Sequence, residues 1–184
     1  MSAVEPIKLF QSVDEVLDYA FRAEAARINP EMSFEIISVS TNPDSLTQEE
    51  FIADGIMMKN RAMRSLDILG RHTIAMHYRR PVDSHLQGLV DYSIYVLAFY
   101  ISKEKPRLQN PFFLADIIRD WAPYGRPHHT LDWWADHTGI PLGTLKSWAC
   151  SRDPARKSIK FLLDDWLATA RAKLDPVYTS ACIL

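Results

Sequence analysis

Two Ser/Thr-x-x-Glu boxes, Ser12–Glu15 and Thr47–Glu50, each open a stretch of apolar residues at helical spacing. In such a box the hydroxyl accepts a free N–H of the first turn and the glutamate reaches back to the cap, so four residues specify a helix start. After the first come Val13, Val16, Leu17, Ala20, Phe21 and Ile28 on one face, closed by Asn29-Pro30. After the second come Phe51, Ile52, Ile56, Met57, Ala62, Met63, Leu66, Ile68 and Leu69. Gly70 is a candidate break there, and the pattern resumes through Ile74 and Tyr78 to Arg79-Arg80-Pro81. Ser84 is expected to cap a helix to about Ile101 that buries Leu86, Leu89, Val90, Ile94, Leu97 and Ala98. Further helical patterns cover about Pro111 to Trp121 and about Ile159 to Leu174, the last ended by Asp175-Pro176. Only Met32 to Thr41 is rich in β-branched residues, and one such segment with no second strand cannot build a sheet. The expected fold class is all-α, with a helix-turn-helix embedded in the C-terminal half.

That motif is Leu131 to Cys150, LDWWADHTGIPLGTLKSWAC. Ala135 falls where two helices touch and only a small side chain fits. Gly139, four residues on, supplies a turn whose backbone needs φ > 0, which is cheap only for glycine. Ile140, Leu145 and Trp148 take the inward phase of the second helix, Trp134 that of the first, and Thr130 is the N-cap. A helix-turn-helix sets its second helix into the DNA major groove; an ordinary helical hairpin with a glycine turn has the same outline. The expected organisation is an acidic segment over 1–45, a long helix pair over 46–110, the motif and a closing helix over 111–175, and a tail over 176–184.

Bulk properties exclude several classes. The two cysteines, Cys150 and Cys182, form no CxxC pair, so neither a disulfide framework nor a zinc ribbon is expected, and a reducing cytoplasm is the natural home. The start MSAVEPIKLF has no basic stretch before an apolar run, so no signal peptide is expected. Leu86 to Ile101, the longest apolar-leaning run, contains Gln87 and Asp91 and is too short and polar to span a bilayer. No Gly-rich phosphate loop, GxSxG or HExxH is present. His72 and His77 are five apart and share no helix face as a metal pair would. The chain is therefore expected not to be an enzyme and to need no cofactor or metal. The net charge of −2 hides an asymmetry: residues 1–50 hold ten acids and three bases, the remainder 18 bases and 13 acids. An acidic front and a basic rear suit a protein that meets DNA with one part and a protein partner with another.

Residues expected to face DNA follow from the helical phase. On the second motif helix these are Leu142, Gly143, Lys146 and Ser147, with Thr144 placed for a phosphate. Lys146 can donate to guanine O6 or N7, and Leu142 can pack on a thymine methyl. Arg152, Arg156, Lys157 and Lys160, in the segment read as a basic loop after the motif, form a backbone clamp, and Arg126 can touch the other wall. The set lacks Asn and Gln, so base discrimination is modest and site choice calls for a second partner on the DNA. No clean dimerisation heptad is seen, which weighs against pairing on two half-sites.

The stretch His85-Leu-Gln-Gly-Leu-Val-Asp-Tyr92, continuing as SIYVLAFYI, resembles the leucine-valine-aspartate-tyrosine stretch of the small phage late antiterminators of the Q type. Leu131 to Trp148 falls where those proteins carry their helix-turn-helix. In length and layout the chain is also similar to AlpA-type regulators of prophage-derived lysis cassettes. The resemblance covers roughly residues 50–174. It implies a factor that binds double-stranded DNA near a promoter, engages RNA polymerase and sigma factor there, and travels with polymerase past terminators. Some Q-type proteins hold zinc through a cysteine cluster; this chain has none, so no metal-dependent role carries over. The acidic first fifty residues would be available to basic surfaces of polymerase. The alternatives are a conventional repressor or activator of initiation, a DNA-packaging protein, and a protein-only interaction module.

Overall fold

A computed structural model of the 184-residue chain describes residues 10–29, 47–105, 111–124, 130–149 and 154–181. The expected strand over 32–41 lies outside them. The described residues form eight α-helices and no strand, so the fold is all-α. In chain order these are α1 (Val13–Ile28), α2 (Gln48–Ser65), α3 (Ile68–Tyr78), α4 (Ser84–Glu104), α5 (Pro111–Trp121), α6 (Leu131–Thr138), α7 (Leu142–Ala149) and α8 (Pro154–Thr179).

Helix starts follow local capping chemistry. At α2 the box is complete: Glu50 N donates to Thr47 Oγ1 (3.3 Å) and Thr47 N to Glu50 Oε2 (2.7 Å). At α1, Ser12 Oγ accepts from Glu15 N, but the Glu15 carboxylate takes the N–H of Gln11 instead of that of Ser12. Between α2 and α3 the chain breaks at Leu66-Asp67, not at Gly70. Asp67 caps α3 by accepting from Gly70 N (2.8 Å), and Gly70 lies within the first turn. For α4 the cap is Asp83, which accepts from Leu86 N (2.7 Å), and Ser84 is already helical.

Among the described residues a small apolar cluster (Ala23, Ala26 and Phe51, between α1 and α2) and two large apolar cores are buried. One gathers Val16, Leu17, Phe21, Ala62, Ile74, Leu174 and Tyr178 from α1, α2, α3 and the C-terminal half of α8. The other gathers Met76, Ile94, Leu97, Leu114, Ile118, Leu145, Ile159 and Leu163 from α3, α4, α5, α7 and the N-terminal half of α8. Trp121 packs against both. This grouping cuts across the expected units: α1 belongs to the first core together with α2, while α3 packs against α4. Nor does the last helix end at Asp175-Pro176. It runs from Pro154 to Thr179, with Pro176 inside it. Pro176 has no N–H to give the Ala172 carbonyl, but both residues are exposed, which lowers the cost of the missing bond. Two residues further on, Tyr178 is wholly buried and its hydroxyl donates to Met58 O (3.2 Å), so continuing the helix is favoured.

The acids of the N-terminal segment serve the fold itself. Glu24 on α1, 7 % exposed, meets Lys59 Nζ of α2 (2.9 Å) and Arg79 Nε at the end of α3 (3.0 Å). Burial alone would raise its pKa, but the bonds from Arg79 and Lys59 outweigh that and hold the carboxyl below the usual carboxylate range. Asp18 pairs with Arg22 and Arg80. Asp14 pairs with Arg171 of α8 and accepts from the Tyr78 hydroxyl, which Arg171 also contacts. Three of the ten acids expected to be available to polymerase, Asp14, Asp18 and Glu24, are thus paired with basic residues of the chain itself.

Candidate nucleic-acid interface

Helices α6 and α7 have eight residues each and are joined by residues 139–141. Thr130 caps α6, accepting from Trp133 N (3.2 Å), as the sequence predicts. Gly139 stands at the C-cap with φ 68, ψ 8, the left-handed region that favours glycine, and its N–H closes the helix on Ala135 O (3.1 Å). Pro141 follows, and its carbonyl accepts from Thr144 N and Leu145 N to begin α7. Leu145, 1 % exposed, is the peg that fastens α7 to the second core, beside Ile159 and Leu163 of α8. Ala135, Ile140 and Trp133 pack against the same core from one side. The Trp133 ring also stacks on His137 at 3.9 Å between centroids.

With Leu145 inward, Gly143 and Lys146 are exposed, and Leu142 and Thr144 are half-buried along the edge of the hairpin. Thus four of the expected DNA-facing residues lie together on α7, and Ser147 lies on the same helix by its backbone. Arg156 and Lys157 are placed by backbone in the first turns of α8. They are therefore helical and not part of a loop, because Pro154 occupies a first helical position, where its missing N–H costs nothing. Lys160 departs further from the expectation of a phosphate clamp: its Nζ binds Asp120 Oδ2 of α5 (2.9 Å) and ties α8 to the second core. Arg126 and Arg152 lie outside the described residues. Asp132 and Asp136 are exposed on α6, so the described surface of the hairpin is mixed in charge.

The stretch that carries the family resemblance has a structural role. Leu86 and Val90 are buried in α4, and Asp91 receives Arg119 of α5 (3.2 Å) and Gln87 (3.2 Å), so this stretch docks α4 on α5. His72 and His77 remain apart: His72 Nδ1 meets Ser93 Oγ (3.1 Å), and His77 packs its ring on Tyr78 and Trp121. Among the described residues no group of His, Cys, Asp or Glu is arranged to hold a metal ion, and no helix is long and apolar enough to cross a membrane. Sequence reasoning overlooked the outward row Tyr92, Tyr95 and Phe99 on α4, which are 60, 58 and 56 % exposed. Its signal was available as a second apolar phase on the same helix. No protein-family model and no curated protein sequence matches the chain.

Proposed function

We propose that this protein is a non-enzymatic, cytoplasmic DNA-binding factor of transcription that presents α7 to the major groove. More specifically, we propose an antitermination factor that loads onto RNA polymerase at a promoter-proximal DNA element and promotes terminator read-through. The observation that carries the DNA-binding reading is the hairpin itself. Gly139 in the left-handed region sets the turn, Leu145 anchors α7, and Gly143 and Lys146 are left facing solvent on that short helix. A glycine at the groove-facing start of a helix lets the backbone approach the duplex closely. The basic turns of α8 that follow, Arg156 and Lys157, are supplied next to α7 in the chain. The antitermination reading draws on the resemblance of residues 85–92 and on the scarcity of base-reading side chains, which leaves polymerase and sigma factor to share site selection. A repressor or activator of initiation is the second reading. The exposed aromatic row of α4 favours it, since such regulators pair on two half-sites.

The test is a chromatin immunoprecipitation profile of the tagged protein overlaid on that of RNA polymerase. Antitermination requires a promoter peak whose signal trails polymerase beyond terminators; a sharp promoter peak with no trail rejects it in favour of initiation control. For DNA binding itself, fluorescence anisotropy on a duplex from that peak should show Lys146→Ala weakening binding about 5- to 150-fold, as expected for loss of a contact worth ~1–3 kcal/mol. Unchanged affinity for both Lys146→Ala and Arg152→Ala at low salt rejects the hairpin as the DNA contact.

A further inference from the structure

Helix α4 is apolar on more than the face it buries. Leu86, Val90, Ile94, Leu97, Ala98 and Ile101 point into the protein. On the opposite side His85, Gly88, Tyr92, Tyr95, Phe99 and Ser102 follow one another at intervals of three, four, three, four and three residues, and all but the half-buried Ser102 are exposed. That is the a/d alternation of a coiled-coil seam, sustained over five turns and turned to solvent. A helix apolar on both faces is ordinarily covered on both, and contiguous exposed aromatic rings mark an association surface.

We propose that this seam is covered by a second copy of the chain, with the two α4 helices antiparallel about a two-fold axis near residues 93 and 94. The row is self-complementary in that orientation. Tyr92 faces Tyr95 of the second copy, Gly88 faces Phe99, and His85 faces Ser102, so the Phe99 ring of each helix lies over the residue with no side chain. A Cβ placed at Gly88 would meet no atom within 4 Å, which shows the space that receives the ring. Parallel pairing sets Gly88 on Gly88 and leaves a void there, and it sets Lys103 against Lys103. Antiparallel pairing brings the end of each helix that carries Lys103, Glu104 and Lys105, a net single positive charge, beside the Asp83 end of the other, and it opposes the helix dipoles. At the observed exposures each of the three rings offers roughly 100 Å², or on the order of 600 Å² for both copies. Flanking Leu89, Val96 and the stem of Lys103, whose Nζ already lies 4.3 Å from the Phe99 ring centroid, extend this toward the ~1,200 Å² at which specific interfaces begin. The expected association is a micromolar dimer. It stands independently of the DNA-binding reading, because the test contains no DNA.

Sedimentation velocity of the full chain from about 1 to about 200 μM, a span chosen to bracket micromolar affinity, should move from the monomer mass to twice that mass. Phe99→Asp should abolish the shift. Gly88→Leu should abolish it as well, by filling the space meant for Phe99, and it leaves the monomer intact because position 88 is open. Thermal unfolding of both variants at low concentration checks that the fold is retained. With Cys150 and Cys182 replaced by serine, the double variant His85→Cys/Ser102→Cys, which keeps Phe99 and Gly88, should form a disulfide-linked dimer on oxidation, and His85→Cys alone should not. A chain monomeric throughout, a dimer that survives both substitutions, or cross-linking by His85→Cys alone each overturns the proposal.

Discussion

Replacing Gly55 with alanine sets a favourable backbone effect against a steric one, and the geometry decides which wins. Gly55 lies inside α2, where glycine is about 1 kcal/mol worse than alanine for the helix itself. Yet a Cβ at this position would stand 2.2 Å from the Ala23 Cβ of α1, with Tyr19 O at 3.5 Å. Carbon atoms in contact rest about 3.5–4.0 Å apart. Neither methyl can rotate away, so α1 and α2 must separate by roughly 1.5 Å at a point where Ala23 and Ala26 are fully buried. Overpacking of this kind costs about 1–3 kcal/mol, and the rigid, backbone-borne clash places it at the upper end. Against the helix gain, the net loss is about 2 kcal/mol. For a chain of this length that lowers the thermal midpoint by roughly 4–8 °C. Circular dichroism melts or urea titrations read it directly. Adding Ala23→Gly should restore much of the loss, giving a coupling of at least about 1 kcal/mol in the double-mutant cycle. Gly143→Ala is the counterpart: it is exposed on α7 with nothing within 4 Å of its Cβ and should gain about 0.5 kcal/mol. A Gly55→Ala variant as stable as wild type would refute the close approach of α1 and α2.

Glu24→Gln leaves Lys59 and Arg79 facing a neutral partner and should cost about 3–5 kcal/mol in urea unfolding. Because the Glu24 pKa is lowered in the folded state, its contribution is complete above the ordinary glutamate value and is lost as pH falls through the folded one. Glu24→Gln should therefore flatten the stability decline of wild type below about pH 4.5. Burial, aided by Arg79 and Arg71 for His72 and by Arg171 for His77, lowers both imidazole pKa values. The unfolded chain then binds more protons below about pH 6.5, so the urea midpoint should drop between pH 7.5 and pH 5.5, and a flat profile contradicts the buried placement. Gly139→Ala forces a Cβ into the left-handed region and should cost about 1–2 kcal/mol, whereas Gly139→Asn should cost less; equal melts for the two would count against the turn geometry.

What the sequence disclosed and what it concealed divide along physical range. Caps act over three residues, so Thr47–Glu50 and Thr130 could be read directly, and the inward phase of Leu145 followed from helical periodicity. The break at Asp67 escaped notice because apolar spacing runs straight through Leu66, Ile68 and Leu69, and glycine was taken as the stronger punctuation. Pro176 looked terminal for the same local reason, while the burial of Tyr178 that outweighs it depends on α2, 120 residues away in the chain. Glu24 and Asp14 read as surface charge because their partners, Arg79 and Arg171, are remote in sequence. The partner of Lys160 was equally out of reach, since Asp120 belongs to another helix. The aromatic row of α4 was hidden by its own neighbours, since the inward phase of the helix was strong enough to account for the whole segment.

The position of α8 governs when the molecule can fold. Its two halves complete the two cores, yet among the described helices it is synthesised last. At translation rates of about 5–20 residues per second, α2 waits on the order of ten seconds between its own synthesis and the arrival of Tyr178. During that interval α1, α2 and α3 can pack Leu17, Phe21, Met58 and Ile74 on one another, but the side of their core that Leu167, Leu174 and Tyr178 complete stays open. Completion of both cores is thereby deferred until α8 has been made.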